Sequence, residues 1–163
     1  MPIKISTKSK SKKVDENTDK GVGFLSDVCE EWESCLDQLK TKNVQTLVLR
    51  IGMVLSEKIG ALPLILMPIK FWAGVIPGSG NNGMPWIHLD DLVRLIVYSV
   101  DNQLNGTVNA VSPEMISCDK FHRDIANQLN RPIWFNLPDW CLRLLLSDMA
   151  SLVLNGQFVR SKV

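Results

Sequence analysis

Residues 76–100 read Ile-Pro-Gly-Ser-Gly-Asn-Asn-Gly-Met-Pro-Trp-Ile-His-Leu-Asp-Asp-Leu-Val-Arg-Leu-Ile-Val-Tyr-Ser-Val. The stretch passes from a glycine loop into a helix, and the rest of the chain is organised around that junction. Gly78, Gly80 and Gly83 let the backbone turn freely, while Pro77 and Pro85 bracket them with fixed φ angles. This predicts a shaped loop against which another group lies. Trp86, Ile87, His88 and Leu89 form a short apolar run, after which Asp90 or Asp91 is expected to cap a helix. Its apolar positions Leu92, Leu95, Ile96, Ser99 and Val100 recur at helical spacing, and the carboxylates suit the positive end of a helix dipole. An aspartate at a helix start is foremost a structural choice, and a lone histidine beside a tryptophan is more often packed than reactive. The glycines lack the Gly-Lys-Ser/Thr ending of a P-loop. They also do not follow a strand and open a helix as a dinucleotide fingerprint does.

Composition narrows the class. A chain of 163 residues with 45% hydrophobic and 21% charged residues is long and apolar enough for one folded domain. A net charge of +1 argues against a dedicated nucleic-acid surface. Lys4, Lys8, Lys10, Lys12 and Lys13 gather in a Ser/Lys-rich leader, so residues 1–20 are expected to be a disordered polar tail. Cys29 and Cys35 fall on different faces of an expected helix. Cys118 and His122 have i, i+4 spacing but no accompanying C-x-x-C, so no metal site is expected. Scattered thiols of this kind are expected of a cytoplasmic protein. Residues 61–77, the longest apolar segment, are interrupted by Pro63, Pro68 and Lys70, and no membrane partner is expected.

Taken in order, residues 24–40 carry Leu25, Val28, Cys29, Trp32, Leu36 and Leu39 at helical period. Residues 44–51, Val-Gln-Thr-Leu-Val-Leu-Arg-Ile, barely alternate and predict a strand buried on both faces of a parallel sheet. A helical or irregular apolar segment follows at 62–72. A second short strand is expected at 107–112 after the Asn105-Gly106 turn, and Ser117 is placed to cap a helix over 119–129. Residues 133–137 form an extended apolar run. Residues 138–154 suggest one or two helices with Trp140, Leu144, Leu145, Met149, Leu152 and Val153 facing inward.

Several blocks in register resemble the C-terminal half of the extended short-chain dehydrogenase/reductase proteins, in particular the NAD(P)-dependent epimerase-like family with its C-terminal extension. They are Gly-Phe-Leu-Ser-Asp-Val-Cys-Glu-Glu-Trp-Glu at 23–33, Leu-Arg-Ile-Gly-Met-Val-Leu-Ser at 49–56, Gly-Ser-Gly at 78–80, Trp-Ile-His-Leu-Asp-Asp-Leu at 86–92, Val-Asn-Ala-Val-Ser-Pro at 108–113 and Leu-Asn-Gly-Gln at 154–157. The resemblance implies an α/β protein with an incomplete Rossmann-type fold and a mixed α/β substrate lobe. Residues 21–60 would be a remnant of the dinucleotide sheet, and residues 61–163 the substrate lobe with the start of the extension. By the same resemblance Ile51, Gly52 and Met53 would lie near a nicotinamide, and Gly78, Ser79, Gly80, Trp86 and His88 would line the substrate side.

Two departures bear on activity. Nothing in residues 1–43 has the order strand, glycine-rich turn, helix that rests a pyrophosphate on helix amides. NADP or NAD is therefore expected in full-length relatives and not on this chain alone. The family's Tyr-x-x-x-Lys pair, whose spacing sets an ammonium beside a phenol, is matched here by Leu25 and Cys29, and Tyr98 is the only tyrosine. The reading that results is a truncated oxidoreductase homologue, inactive alone. A non-enzymatic assembly module, or one half of a split enzyme, are the alternatives. The expected partners are an N-terminal complementing chain or further copies of itself.

Overall fold

The computed structural model describes residues 13–16, 18, 24–36, 44–147, 150 and 154–162. Two elements come first in the chain: strand β1 (Lys13–Val14) and helix α1 (Phe24–Ser34). They are followed by β2 (Leu47–Ile51), β3 (Met53–Leu55), α2 (Ala61–Lys70) and β4 (Gly74–Pro77). Next come β5 (Trp86–His88), α3 (Leu89–Asp101), β6 (Gly106–Ala110) and α4 (Cys118–Gln128). The chain closes with β7 (Ile133–Leu137), α5 (Asp139–Leu146) and β8 (Phe158–Val159).

The strands associate as four pairs, β1 with β8, β2 with β6, β3 with β5 and β4 with β7, and every pair is parallel. Parallel neighbours need a crossover between them, and α2 and α3 lie within those crossovers, which is the logic of an α/β fold. The expected α/β class is thus the one observed. Gly52 links β2 to β3 with no room to spare. A Cβ there would sit 2.8 Å from the Pro85 carbonyl oxygen, and the Gly52 and Met53 amides donate to Ala110 and Pro85.

Two apolar clusters fill the centre. Leu55, Ile116 and Phe121 pack with Met53, Met84 and Trp86 on one face of the β3–β5 pair. Ile87, Leu92 and Ala110 pack with Ile51, Val54 and Leu95 on the other. A third cluster, Leu142, Ala150 and Leu154, gathers beneath Leu137. No helix among the described residues is long and apolar enough to cross a membrane.

Several expectations are corrected. Lys13 and Val14, assigned to a disordered tail, form β1, where Val14 is buried and Glu16 Oε1 accepts from the Asn109 and Lys162 amides. The rest of that tail lies outside the described residues apart from Asp15, Glu16 and Thr18. The strand expected at 44–51 begins at Leu47 and is half-buried, with Arg50 its most buried residue. Helix α1 is described only to Ser34, and residues 37–40 of its expected span lie outside the described residues. On α3, Leu92 and Ser99 face inward, but Ile96 and Val100 are exposed with Val93 and Val97. Trp140 and Leu144 of α5 are also exposed, and Leu142 is the inward residue. The Leu145 side chain and Met149, Leu152 and Val153 lie outside what is described.

Candidate functional site

The loop after β4 lies against two helix starts, Gly78 beside Asp139 of α5 and Gly80 beside Asp119 of α4. Gly78 and Gly80 have φ of 62° and 72°, the left-handed region that favours glycine. A Cβ on Gly80 would lie 2.8 Å from the Asp119 Cβ, so the loop runs directly over the first turn of α4. Its carbonyls serve that turn: Gly80 O accepts from the Asp119 amide and Asn82 O from the Cys118 amide, both at 2.9 Å. Ser117 Oγ accepts from the Lys120 amide, as its N-cap position predicts. Farther on, Gly83 and Gly156 press backbone against backbone, with the Gly83 carbonyl over Gly156 and the Gln157 peptide over Gly83. Ser79 gives its carbonyl to the Asn136 side chain at 3.2 Å.

β5 brings two expected groups together. Met53 pairs with Trp86 and Leu55 with His88 across the β3–β5 ladder, so a residue expected at the nicotinamide stands beside one expected on the substrate side. Trp86 is half-buried in the core, and its indole Nε1 is buried with no hydrogen-bond partner. His88 is the N-cap of α3, a role expected of Asp90 or Asp91. Its Nδ1 accepts from the Asp90 amide at 3.2 Å, and both aspartates lie in the first turn. An Nδ1 that accepts leaves the proton on Nε2, and the ring is about half exposed. No contact joins Gly78, Ser79 or Gly80 to His88 among the described hydrogen bonds and ion pairs.

Sequence reasoning passed over one buried ion pair and considered Cys118 and His122 only as metal ligands. Arg50 of β2 grips Glu33 of α1 through two bonds of 2.9 Å. A charge in the middle of an apolar strand was the available signal. His122 lies buried in α4, with Nδ1 at 2.8 Å from the Cys118 carbonyl and 3.5 Å from its Sγ. Burial lowers the His122 pKa. The Cys118 thiol is pushed up to about 12, chiefly by burial and also by Asp119, which makes it a packed group and no nucleophile. Among the described residues no group of His, Cys, Asp or Glu is arranged to hold a metal.

Ile51 and Met53 are apolar but pack in the clusters on opposite faces of the β3–β5 pair, and the Gly52 and Met53 amides are engaged within the chain. The leading amides of α4 are all taken by Asn82, Gly80 and Ser117, and α3 has the His88 cap, so neither helix start is open to a pyrophosphate. The leading amides of α4 are therefore not free to hold a phosphate.

Parallel β-pairs joined by helical crossovers, with a glycine loop beside their carboxyl ends, define a portion of a Rossmann-type α/β protein. Its homologues are the epimerase family proteins of the extended short-chain dehydrogenase type. The chain is 36% identical over 146 residues to the chloroplastic epimerase family protein SDR39U1 homolog of Arabidopsis thaliana, a match covering 89% of this chain and 42% of that one. It is 35% identical over 135 residues to epimerase family protein YfhF of Bacillus subtilis, covering 82% and 44%. The crystal structure of human epimerase family protein SDR39U1 (isoform 2) with NADPH superimposes with a TM-score of 0.86 at 26% identity, over 93% of this chain and 52% of that one. The chain thus spans less than half the length of the curated relatives it matches. No family model matches it.

Proposed function

We propose that this chain is the substrate-side portion of an NAD(P)-dependent, epimerase-type oxidoreductase, and that it turns nothing over until a further polypeptide segment supplies the phosphate cradle. The observation that carries the reading is the pairing of Met53 with Trp86, whose buried indole N–H lacks an acceptor. An orphaned buried donor at the meeting of a cofactor wall and a substrate wall is a place for a ligand oxygen. NADP(H) or NAD(H), when bound, would exchange a hydride with a small carbonyl or sugar-nucleotide substrate. The chain's own residues then act as walls and donors. Ile51 and Met53 shield the nicotinamide end, the backbone of Gly78, Ser79 and Gly80 shapes the substrate side, and the Trp86 and His88 ring N–H groups orient a substrate oxygen.

That further segment is expected to dock where β2 is open. Among the described residues β2 pairs only with β6, and its other edge carries no strand. A strand, glycine loop and helix laid there would bring helix amides to the pyrophosphate. The crystal structure of human SDR39U1 with NADPH supports that choice of cofactor. A non-enzymatic assembly module is the second reading, favoured by the outward apolar stripe Val93, Ile96, Val97 and Val100 on α3.

Titration of the purified chain with NADPH, followed by nucleotide fluorescence, tests the first reading. Micromolar binding is expected only after adding the N-terminal half of an epimerase family relative, with His88→Ala leaving that binding intact. Micromolar binding by the chain unaided would overturn it. Complementation that restores binding but no hydride transfer to any carbonyl would favour the assembly module.

A further inference from the structure

Trp134, Phe135 and Asn136 of β7 are all exposed, because the ladder to β4 slips between Gly74 and Val75 and leaves Trp134 as an extra, unpaired residue that breaks the usual alternation. One edge of β7 bonds to β4, and among the described residues no strand lies on the other. Gly78 donates to the Leu137 carbonyl on the β4 side, so by alternation the Asn136 amide and carbonyl point away. No charge or proline interrupts residues 133–137, although those are the usual protections of an open edge.

We propose that two copies of this chain associate by antiparallel pairing of β7 with β7 about a two-fold axis at Phe135. The occupant is chosen by the sequence itself. Residues 131–139, Arg-Pro-Ile-Trp-Phe-Asn-Leu-Pro-Asp, complement themselves when read against a reversed copy centred on Phe135. Phe135 meets its own counterpart, Trp134 meets Asn136 and Ile133 meets Leu137. Beyond the strand the sequence stays complementary, so the basic residue before β7, Arg131, comes toward the acidic start of the other copy's α5, Asp139. A foreign strand has no reason to match these pairs.

The exposed surface is of the right size. The Trp134 indole donates to the Trp72 carbonyl at 2.7 Å, and the Arg131 guanidinium lies 4.5 Å over the Trp72 ring, which holds these two tryptophans together beside β7. Phe71, Trp72, Trp134 and Phe135 are 77%, 56%, 63% and 58% exposed. A large aromatic buries about 150–250 Å² when covered, so these four remove on the order of 500 Å² per copy. Two copies reach roughly 1,000 Å², the threshold for a specific interface.

Disulfide trapping in a Cys35→Ser, Cys141→Ser background tests the register, with sedimentation equilibrium of the wild-type chain alongside. Facing residues at the axis have Cα atoms about 4.5–5.5 Å apart, within disulfide range. Phe135→Cys is expected to cross-link to completion, while Val97→Cys, exposed on α3, stays uncross-linked. Phe135→Lys, which sets like charges face to face, is expected to abolish the dimer with its circular dichroism unchanged. Asp139→Arg weakens the dimer, and adding Arg131→Asp restores it. A wild-type chain that is monomeric at about 100 µM, far above the concentrations at which micromolar dimers form, would overturn the proposal. So would equal cross-linking at positions 97 and 135, or a monomer that sediments with phosphatidylcholine vesicles through the aromatic patch.

Discussion

Arg50 and Glu33 join β2 to α1 through a two-pronged ion pair, both bonds 2.9 Å, with the two side chains 9% and 17% exposed. A strand and a helix that are separate in sequence are thereby fixed at one register, and the expected nicotinamide wall begins at the next residue, Ile51. Removing one partner leaves the other charge buried without compensation, which costs about 3 kcal/mol or more. Glu33→Ala is therefore expected to lower the urea midpoint sharply. The double variant Glu33→Met, Arg50→Met recovers most of the loss, because it removes the charge along with its partner. Chemical denaturation of the three variants checks this.

Gly83→Ala is expected to cost about 1–3 kcal/mol, the range for forcing atoms into a packed site. A Cβ at Gly83 meets the Gln157 backbone, which cannot swing aside as a side chain tip can. Gly106→Ala meets nothing, and its cost comes only from the φ of 101°. Thermal melts of the two variants separate crowding from backbone strain.

His122 makes stability depend on pH. Burial lowers its folded-state pKa below the unfolded value near 6.5, so below that pH the unfolded chain takes up the proton first. The stabilisation is present above about pH 6.5 and is lost as the pH falls through the folded pKa. His122→Asn is expected to flatten the difference in urea midpoint between about pH 7.5 and 5.5, whatever its cost at neutral pH. A wild-type midpoint that rises on acidification over that interval would contradict it.

Trp86→Phe separates packing from binding. It deletes a buried donor that has no acceptor, and an unsatisfied buried polar group costs about 1–3 kcal/mol, so the variant keeps or gains stability. Phe121→Ala, in the same cluster, is expected to lose about 3–5 kcal/mol. In a complemented complex with NADPH, Trp86→Phe is expected to raise the substrate KM while leaving NADPH affinity unchanged.

Local signals were legible and distant ones were not. Ser117 is followed by a helix-compatible run, and its cap bond lies three residues away, so the sequence reveals both the cap and the start of α4. Apolar period marked α3, but not which side of it would be covered, because Ile96 and Val100 are as apolar as Leu92 and nothing among the described residues packs over them. β1 was missed because two residues between polar neighbours carry no pattern, and their partner β8 lies at the other end of the chain. Trp140 and Leu144 satisfied a helical period on the exposed side of α5, where period alone cannot distinguish a core from an uncovered surface. Of the candidate site, the resemblance assigned Met53 to the nicotinamide end and Trp86 to the substrate side, and the structure adds that the two pair across the β3–β5 ladder. The resemblance gave no hint that His88 spends one nitrogen on its own helix, since a histidine cap has the same sequence as a histidine ligand.

The lateral contact between Val14 and Val159 joins two strands separated by nearly all the described elements. Closing so long a loop costs more entropy than any local pairing, so this seam is expected to form after the elements between it. Until it does, the Glu16 carboxylate has no Lys162 amide to accept from, and the two strands stay apart.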